Sequence, residues 1–190
     1  RRAAVLVCLF EGTRGELRVI LTQRSMNLSS HPAGEVALPG GKMEEGDTDD
    51  AATALREAME EIGLDPGLVE VVATLEPFIS RRQLIMMPVV GLLSKREDFK
   101  PAPNADEVDA IFDAPLEMFL NEDGQMYEER EWRRWKYTRH LFDFQSEKGD
   151  FIIGGLTENI LIRAASLIFQ RSPAFAGQLP DFQQLQKTLN

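Results

Sequence analysis

The segment that most constrains the fold of this chain is residues 49–62, because it carries the start, body and stop signals of one helix. Asp47 and Asp49 supply N-cap chemistry, and the body consists mainly of strong helix formers. Gly63, followed by Pro66, supplies the expected stop. We therefore predict a helix over residues 49–62.

Apolar and β-branched runs on both sides of this helix predict a sheet. We predict strands at residues 3–10, 17–23, 69–75, 84–93, 110–112, 138–144 and 151–153, and a short helix at 115–120. The first two runs form a hairpin, and so do the last two. Thr157–Gln170 has apolar residues at helical spacing, which predicts a second long helix. Two helices that bracket mixed strands predict an α/β fold with α/β/α layers and a mixed central sheet.

The charge balance restricts the class of partner. The chain has 21 Lys and Arg against 31 Asp and Glu, a net charge of -10, which would repel a nucleic-acid backbone. A compact anion can still bind where carboxylates hold a divalent cation. No apolar stretch reaches the ~18 residues of a membrane span, since Leu84–Leu93 is interrupted by Pro88 and Gly91. We therefore expect a small-molecule ligand, and neither nucleic acid nor a membrane as partner.

Cysteine usage and the first residue bear on the compartment. Cys8 is the only cysteine and lies in an apolar run, so we predict a buried strand thiol and no internal disulfide. This is consistent with a reducing compartment, and we expect an intracellular protein, mitochondrial or cytoplasmic. Because the chain begins at Arg1 without an initiator Met, we allow for a targeting segment that has been removed.

Three glutamates on the predicted helix form the strongest candidate site. Glu57, Glu60 and Glu61 are spaced i, i+3 and i+4, so their carboxylates project from one helical face. Their negative charges repel each other, which destabilises the helix. A hard divalent cation such as Mg²⁺, bound between the carboxylates, reverses that penalty. A solvated acidic face is the plain alternative. The preceding Gly40 and Gly41 favour the cation site, because they end a long Ser-, Pro- and Gly-rich connection and let a ligand approach the backbone closely.

Residues 41–64, GKMEEGDTDDAATALREAMEEIGL, resemble the Nudix box, in which a glycine and an acid precede Arg-Glu-x-x-Glu-Glu-x-Gly. The resemblance implies a Nudix-type α/β/α sandwich. It also implies that the three glutamates bind Mg²⁺ or Mn²⁺. By the same resemblance, Arg56 holds Glu57 in place and the Gly41 carbonyl adds a ligand.

One departure from the box concerns its acid. It is Asp47 rather than Glu, and eight residues rather than seven separate it from Arg56. The Arg-Glu-x-x-Glu-Glu part of the motif is complete, so the departure affects the role of Asp47. We consider two roles for this residue, an N-cap of the helix and a polar contact within the loop.

A second motif resembles the one that marks the coenzyme A diphosphatase branch of Nudix enzymes. It comprises Leu21–Ser25, Gly34–Val36 and Pro39–Gly41. The resemblance implies hydrolysis of coenzyme A or acyl-CoA to 4'-phosphopantetheine and adenosine 3',5'-bisphosphate. Arg24 and the two glycines would then contact the substrate, with Arg24 paired to a phosphate such as the 3'-phosphate. A surface charge at a strand end is the alternative for Arg24.

The branch pattern is incomplete in this chain. It often has an arginine where this chain reads Leu28-Ser29-Ser30-His31, a phenylalanine in place of Leu38, and one residue fewer near Ala33. We therefore keep NADH, ADP-ribose and other nucleoside diphosphate derivatives as alternative substrates. A catalytically silent ligand-binding domain on the same fold is a third hypothesis, which the complete glutamate set disfavours. His31 either donates to a phosphate or is an ordinary loop residue.

The segment Glu128–His140 interleaves basic and aromatic residues in an otherwise acidic chain. Trp132 or Trp135 would stack on an adenine if this segment contacts the substrate. A surface hairpin or the contact of a homodimer explains the pattern equally well.

The proposed catalytic residues are Glu57, Glu60 and Arg56. By analogy with the family, Glu57 or Glu60 accepts the proton of the attacking water, and Glu107 is a candidate base outside the box. We predict a hydrolase domain over residues 1–171 and a C-terminal extension over 172–190, with a short helix at 181–189.

Overall fold

The computed structural model describes residues 1–28, 34–80, 83–132 and 134–175. Its strands are β1 (Arg2–Glu11), β2 (Leu17–Arg24), β3 (Val36–Ala37), β4 (Gly40–Lys42), β5 (Val69–Thr74), β6 (Phe78–Ile79), β7 (Ile85–Leu93), β8 (Val108–Pro115), β9 (Gln125–Trp132), β10 (Trp135–Ser146) and β11 (Gly149–Gly154). The α-helices in this part of the chain are α1 (Asp50–Ile62) and α2 (Gly155–Phe169), and short 3-10 helices cover Pro66–Leu68, Arg96–Asp98 and Leu116–Leu120.

Strand β1 lies at the centre of the main sheet because it is apolar on both faces. Residues 3–10 are all buried, which is typical of a strand that is covered on both sides. Its neighbours are β2, which is antiparallel, and β7, which is parallel. The order is β3-β2-β1-β7-β5, with β4 paired to β1, β6 to β7 and β8 to β2. These parallel and antiparallel pairs confirm the predicted mixed central sheet.

The two faces of the main sheet are covered by different elements. On one face, Leu6 of β1 shares a core cluster with Ala58 and Ile62 of α1. On the other face, Val7 of β1 shares a second cluster with Leu161 of α2. Strands β9, β10 and β11 form a separate three-stranded sheet, whose buried side chains belong to that second cluster. The helices therefore lie on opposite faces, and the predicted α/β/α layering is confirmed.

Helix α1 has the predicted capping residues at its ends. The Asp49 carboxylate accepts a hydrogen bond from the Ala52 N–H at 2.7 Å. Gly63 has a φ of 71°, and its N–H donates to the Met59 carbonyl at 3.0 Å. The predicted helix over residues 49–62 is confirmed.

Several predicted elements differ in extent from the observed ones. The strand predicted at 110–112 covers Val108–Pro115, and the long connection after β2 contains the short strands β3 and β4. Strand β9 pairs antiparallel with β10, so the hairpin hypothesis for Glu128–His140 is confirmed. Its sequence, QMYEEREW, carries four charged residues, and the apolar alternation that predicts a strand is therefore weak.

Cys8 is fully buried in β1, as predicted. Burial raises the pKa of its thiol to about 12, so the thiol stays neutral at physiological pH and is a poor nucleophile.

Near the end of the described chain, Phe175 is buried in the cluster that contains α2. The domain boundary at 171 stays a prediction, and the helix predicted at 181–189 lies outside the described residues. Among the helices of the described residues, none is long and apolar enough to cross a membrane.

Candidate functional site

Strand β4 fixes the glycines of the candidate site against the central strand. It pairs antiparallel with β1, and Gly40 and Gly41 face Val5 and Ala4. A Cβ added to Gly40 would lie 2.6 Å from the Val5 Cα, a distance that real Cβ atoms essentially never show. The close approach of two backbones therefore requires glycine at position 40.

The glutamates of α1 reach this glycine pair. A Cβ on Gly41 would overlap the Glu57 carboxylate, with the Glu57 Oε2 atom 2.7 Å away. The Gly40 N–H donates to the Glu61 Oε2 atom at 3.4 Å. The glycine loop and α1 therefore form one site, in which the Glu57 and Glu61 carboxylates contact the backbone of Gly41 and Gly40.

Burial disfavours the ionised form of two of these carboxyl groups. The Glu57 side chain is 13% exposed, and burial is the main cause that raises its pKa. Burial also raises the pKa of Glu61 to about 8, against the lowering effect of the nearby Arg24 charge, while the charges of Glu57 and Glu107 raise it further. A bound cation would relieve this penalty, so the two carboxylates fit a hard divalent metal.

Glu60 has a different environment from the other two glutamates. Its side chain is 55% exposed, and its Oε2 atom lies 3.2 Å from the Arg56 Nη1 atom. In the part of the chain that the structure describes, no group of three or more Asp, Glu, His or Cys side chains is arranged to hold a metal ion. The structure thus brings Glu57 and Glu61 together and leaves Glu60 at the rim.

Arg56 joins the loop to the helix. Its guanidinium donates to both carboxylate oxygens of Asp47, at 3.0 and 3.1 Å, and to the Lys42 carbonyl at 3.0 Å. The Nη1 atom of the same side chain lies 3.1 Å from the Glu57 Oε1 atom. A planar fork of this kind restricts the orientation of each group that it contacts. Arg56 therefore positions the Glu57 carboxylate over Gly41.

Asp47 makes the polar contact that was one of its two predicted roles. Its carboxylate accepts hydrogen bonds from the Glu44 N–H and the Thr53 hydroxyl, both at 2.9 Å, in addition to those from Arg56. The Arg56 guanidinium holds the pKa of this carboxyl well below its usual range. The N-cap role for Asp47 was wrong, because Asp49 caps the helix.

Replacing Asp47 by Asn should destabilise the protein at neutral pH. The pKa of Asp47 is lower in the folded than in the unfolded chain, so its contacts stabilise the fold above the ordinary carboxyl pKa of about 4 and lose this effect as the pH falls through the folded pKa. The thermal midpoint of Asp47→Asn should lie below that of the wild type at pH 7. The difference should shrink towards pH 3.

The matched control is Asp123→Asn, in an exposed turn, which should unfold like the wild type at every pH. Equal midpoints for Asp47→Asn and the wild type at pH 7 would contradict the proposed anchoring of Arg56.

A cavity of about 560 Å³ adjoins the glycine pair. Gly40, Gly41 and Arg24 are among its lining residues, whereas the three glutamates are not. Arg24 is half-buried, and its Nε atom has no hydrogen-bond partner among the residues described by the structure. Arg24 therefore lines a cavity beside the carboxylates, where its charge acts on Glu61.

Sequence reasoning did not single out three ionisable side chains that line the same cavity, Arg139, His140 and Glu158, although the first two end the segment Glu128–His140 that was a candidate for substrate contact. A signal was available for Glu158, because it is an acidic residue next to the apolar positions Ile160 and Leu161 in α2. The predicted contacts of His31, and of the side chains of Trp132 and Trp135, lie outside the described part of the structure.

The sequence and the fold of this chain are both similar to those of known proteins. Residues 1–141 match the model of the NUDIX domain family. The chain is 58% identical to "Nudix hydrolase 15, mitochondrial" of Arabidopsis thaliana, over 96% of this chain and 64% of the relative. It is 41% identical to "Peroxisomal coenzyme A diphosphatase NUDT7" of Mus musculus, over 85% of this chain and 68% of that protein.

A solved structure of a MutT/nudix family protein from Enterococcus faecalis has the same fold. The TM-score is 0.55 at 18% identity, over 90% of this chain and 64% of that one. The chain spans less than two thirds of the length of the plant relative. Because the family model matches well over half of the chain and the fold agrees with it, the chain belongs to the Nudix family.

Proposed function

We propose that this domain hydrolyses the diphosphate bond of coenzyme A or acyl-CoA, giving 4'-phosphopantetheine and adenosine 3',5'-bisphosphate. The observation that carries the reaction type is a pair of carboxylates, partly buried Glu57 and buried Glu61, against the backbone of Gly40 and Gly41 beside a cavity. The second motif and the name of the mouse relative, a coenzyme A diphosphatase, support the choice of substrate.

The proposed cofactor is Mg²⁺ or Mn²⁺. Glu57, Glu61 and the Gly41 carbonyl would hold it, and Glu60 completes the set by resemblance to the family. The all-oxygen donor set fits a hard cation, and a bound cation would stabilise the ionised form of two carboxyl groups that burial disfavours. When bound, the cation supplies positive charge to the diphosphate oxygens and makes water more acidic.

The protein's own groups position the reactants. Gly40 and Gly41 let β1 and the Glu57 carboxylate approach the loop backbone beside the cavity, and Arg56 fixes the orientation of Glu57. The attacking water loses its proton to a carboxylate, for which Glu57, Glu60 and Glu107 are the candidates. The Glu107 carbonyl accepts a hydrogen bond from the Ser25 N–H at 2.9 Å, which places residue 107 beside Arg24.

The partner in this proposal is a small-molecule diphosphate. The names of the two relatives assign them to mitochondria and peroxisomes, which supports a location inside the cell without selecting an organelle. The departures from the branch motif keep NADH and ADP-ribose as second candidates with the same mechanism.

Arg24 provides the test of the substrate. We expect wild-type protein to prefer coenzyme A over dephospho-coenzyme A, because only coenzyme A offers Arg24 a 3'-phosphate. Arg24→Gln should lower kcat/KM for coenzyme A about 10- to 100-fold, the loss expected for a hydrogen bond between charged groups, and should abolish the preference. Steady-state kinetics with both substrates measure this.

The matched control is Arg14→Gln, at an exposed position in the β1–β2 turn, which should keep the wild-type preference. Equal turnover of both substrates by the wild type, with faster cleavage of ADP-ribose or NADH, would instead favour the second candidate.

A further inference from the structure

The far wall of the cavity carries polar groups that the proposed reaction does not use. Arg139 and His140 come from β10, and Glu158 comes from the first turns of α2. Glu158 and His140 are each 1% exposed. The surrounding lining includes the apolar side chains of Val5 and Leu38. Ionisable groups are seldom buried in such surroundings unless they have partners.

Each of these side chains has an atom without a hydrogen-bond partner among the described residues. The atoms are the Arg139 Nε, the His140 Nε2 and the Glu158 Oε1. Buried polar atoms are nearly always satisfied, and an unsatisfied group costs free energy, so three at one cavity require a reason. A ligand that supplies the missing partners is such a reason.

The hydrogen-bonding character of these groups can be assigned. The Tyr127 hydroxyl donates to the Gln125 Oε1 atom at 2.9 Å, so the Gln125 amide nitrogen faces the His140 Nδ1 atom, also at 2.9 Å. His140 then accepts at Nδ1 and carries its proton on Nε2, and burial lowers the pKa of the ring, which favours this neutral form. The unsatisfied Arg139 and His140 nitrogens are therefore donors. Burial raises the pKa of Glu158 to about 8, and its carboxyl keeps an acceptor oxygen in either protonation state.

Arg139 and Glu158 are close enough for their charges to interact, but they form no salt bridge among the described residues, because no nitrogen–oxygen pair between them is within 4.0 Å. A Cβ on Gly154 would lie 3.0 Å from the Arg139 Nη2 atom, so this glycine makes room for the guanidinium at the start of α2. The Gly155 N–H in turn hydrogen-bonds to the Glu158 carboxylate. The backbone of α2 thus fixes both groups.

We propose that Arg139 and Glu158 recognise the organic part of the substrate through a hydrogen-bonding edge that presents an acceptor beside a donor. This inference rests on the proposed function, because the cavity shares Gly40, Gly41 and Arg24 with the diphosphate site. Its volume of about 560 Å³ is within the usual range for small-molecule sites and exceeds what a diphosphate needs.

An edge of this kind occurs in two parts of coenzyme A. The adenine ring offers a nitrogen acceptor beside its amino group, and each pantetheine amide offers a carbonyl and an N–H. The two cleavage products separate these sources, because adenosine 3',5'-bisphosphate carries the adenine and 4'-phosphopantetheine carries the amides.

The test is calorimetric titration of each product into wild-type protein and Glu158→Leu. We expect the variant to lose about tenfold or more in affinity for one product and to keep its affinity for the other. The product that binds more weakly shows which part of coenzyme A these residues recognise. The thermal midpoint is measured alongside, because leucine removes the acceptor of the Gly155 N–H as well as an unsatisfied buried oxygen. A merely structural role for Glu158 would lower the midpoint without selecting a product.

Glu158→Gln, which keeps the shape and an acceptor, should restore most of the affinity, and Glu147→Gln in the exposed β10–β11 turn is the control. If Glu158→Leu does not fold, Arg139→Gln gives the same readout. Unchanged affinity for both products in a folded variant, or no binding of either product to the wild type, overturns the proposal. A wild type that binds a product but cleaves no diphosphate refutes the proposed function alone.

Discussion

Replacing Glu57 or Glu61 by Gln should lower kcat with Mg²⁺ at least about a hundredfold, because each substitution removes a charged oxygen ligand from the proposed cation site. The fold should survive in both variants. In the Glu61 variant a neutral amide replaces a carboxyl whose pKa burial raises to about 8, so the thermal midpoint without added metal should not fall. Phosphate-ester product release at saturating coenzyme A measures the effect.

The control for these variants is Glu70→Gln, at an exposed position on β5, which should keep wild-type kcat. Glu60→Gln should also lose activity if this rim carboxylate joins the cation when substrate is bound. Full activity in both the Glu57 and the Glu61 variants would refute the metal-site assignment. Absence of hydrolysis in the wild type would instead favour a silent binding domain.

Replacing Gly41 by Ala should abolish most activity while the protein stays folded. The added Cβ would overlap the Glu57 carboxylate, which is the movable end of a side chain, so Glu57 would swing away from the loop. Because the displaced group is the ligand held by Arg56, we expect a loss in kcat of about a hundredfold, similar to that of Glu57→Gln. Steady-state kinetics and thermal unfolding of the same preparation measure both effects.

Gly40→Ala should mainly lower the stability of the fold, whereas Gly41→Ala should mainly lower kcat. Its Cβ would meet the backbone of β1, 2.6 Å from the Val5 Cα, and the central strand cannot yield as a side chain does. We expect a destabilisation of about 1–3 kcal/mol, the usual range for overpacking. Gly67→Ala is the control, because its Cβ would meet only the Asp65 carboxylate, at 3.2 Å. A Gly41→Ala variant with wild-type kcat would contradict the placement of Glu57.

The parts of the fold that the sequence predicted well are those with local signals. Helix α1 has its cap, its body and its stop within one short segment, so its bounds follow from residues 49–63 alone. The grouping of the glutamates with the glycines likewise follows from a contiguous motif. The role of Asp47 did not follow, because two aspartates two residues apart offer the same cap chemistry and only the position of Arg56 decides between them.

The far wall of the cavity could not be predicted from the sequence. Arg139 and Glu158 lie on a strand and a helix whose separate packing against the main sheet brings them to one space. The exposure of Glu60 has a similar origin, since the Arg56 guanidinium lies within ion-pair distance of four carboxylates from the loop and the helix. Both features depend on three-dimensional packing between residues, and helical spacing alone does not encode it.

Titration of Mn²⁺ into the protein, followed by electron paramagnetic resonance, tests the proposed cation site most directly. We predict that the wild type binds Mn²⁺, that the Glu57→Gln/Glu61→Gln double variant binds it at least about tenfold more weakly, and that hydrolysis of coenzyme A by the wild type stops when a chelator removes the ion. Equal Mn²⁺ affinity in the two proteins, or hydrolysis that persists with chelator, would contradict a cation held by these carboxylates beside Gly41.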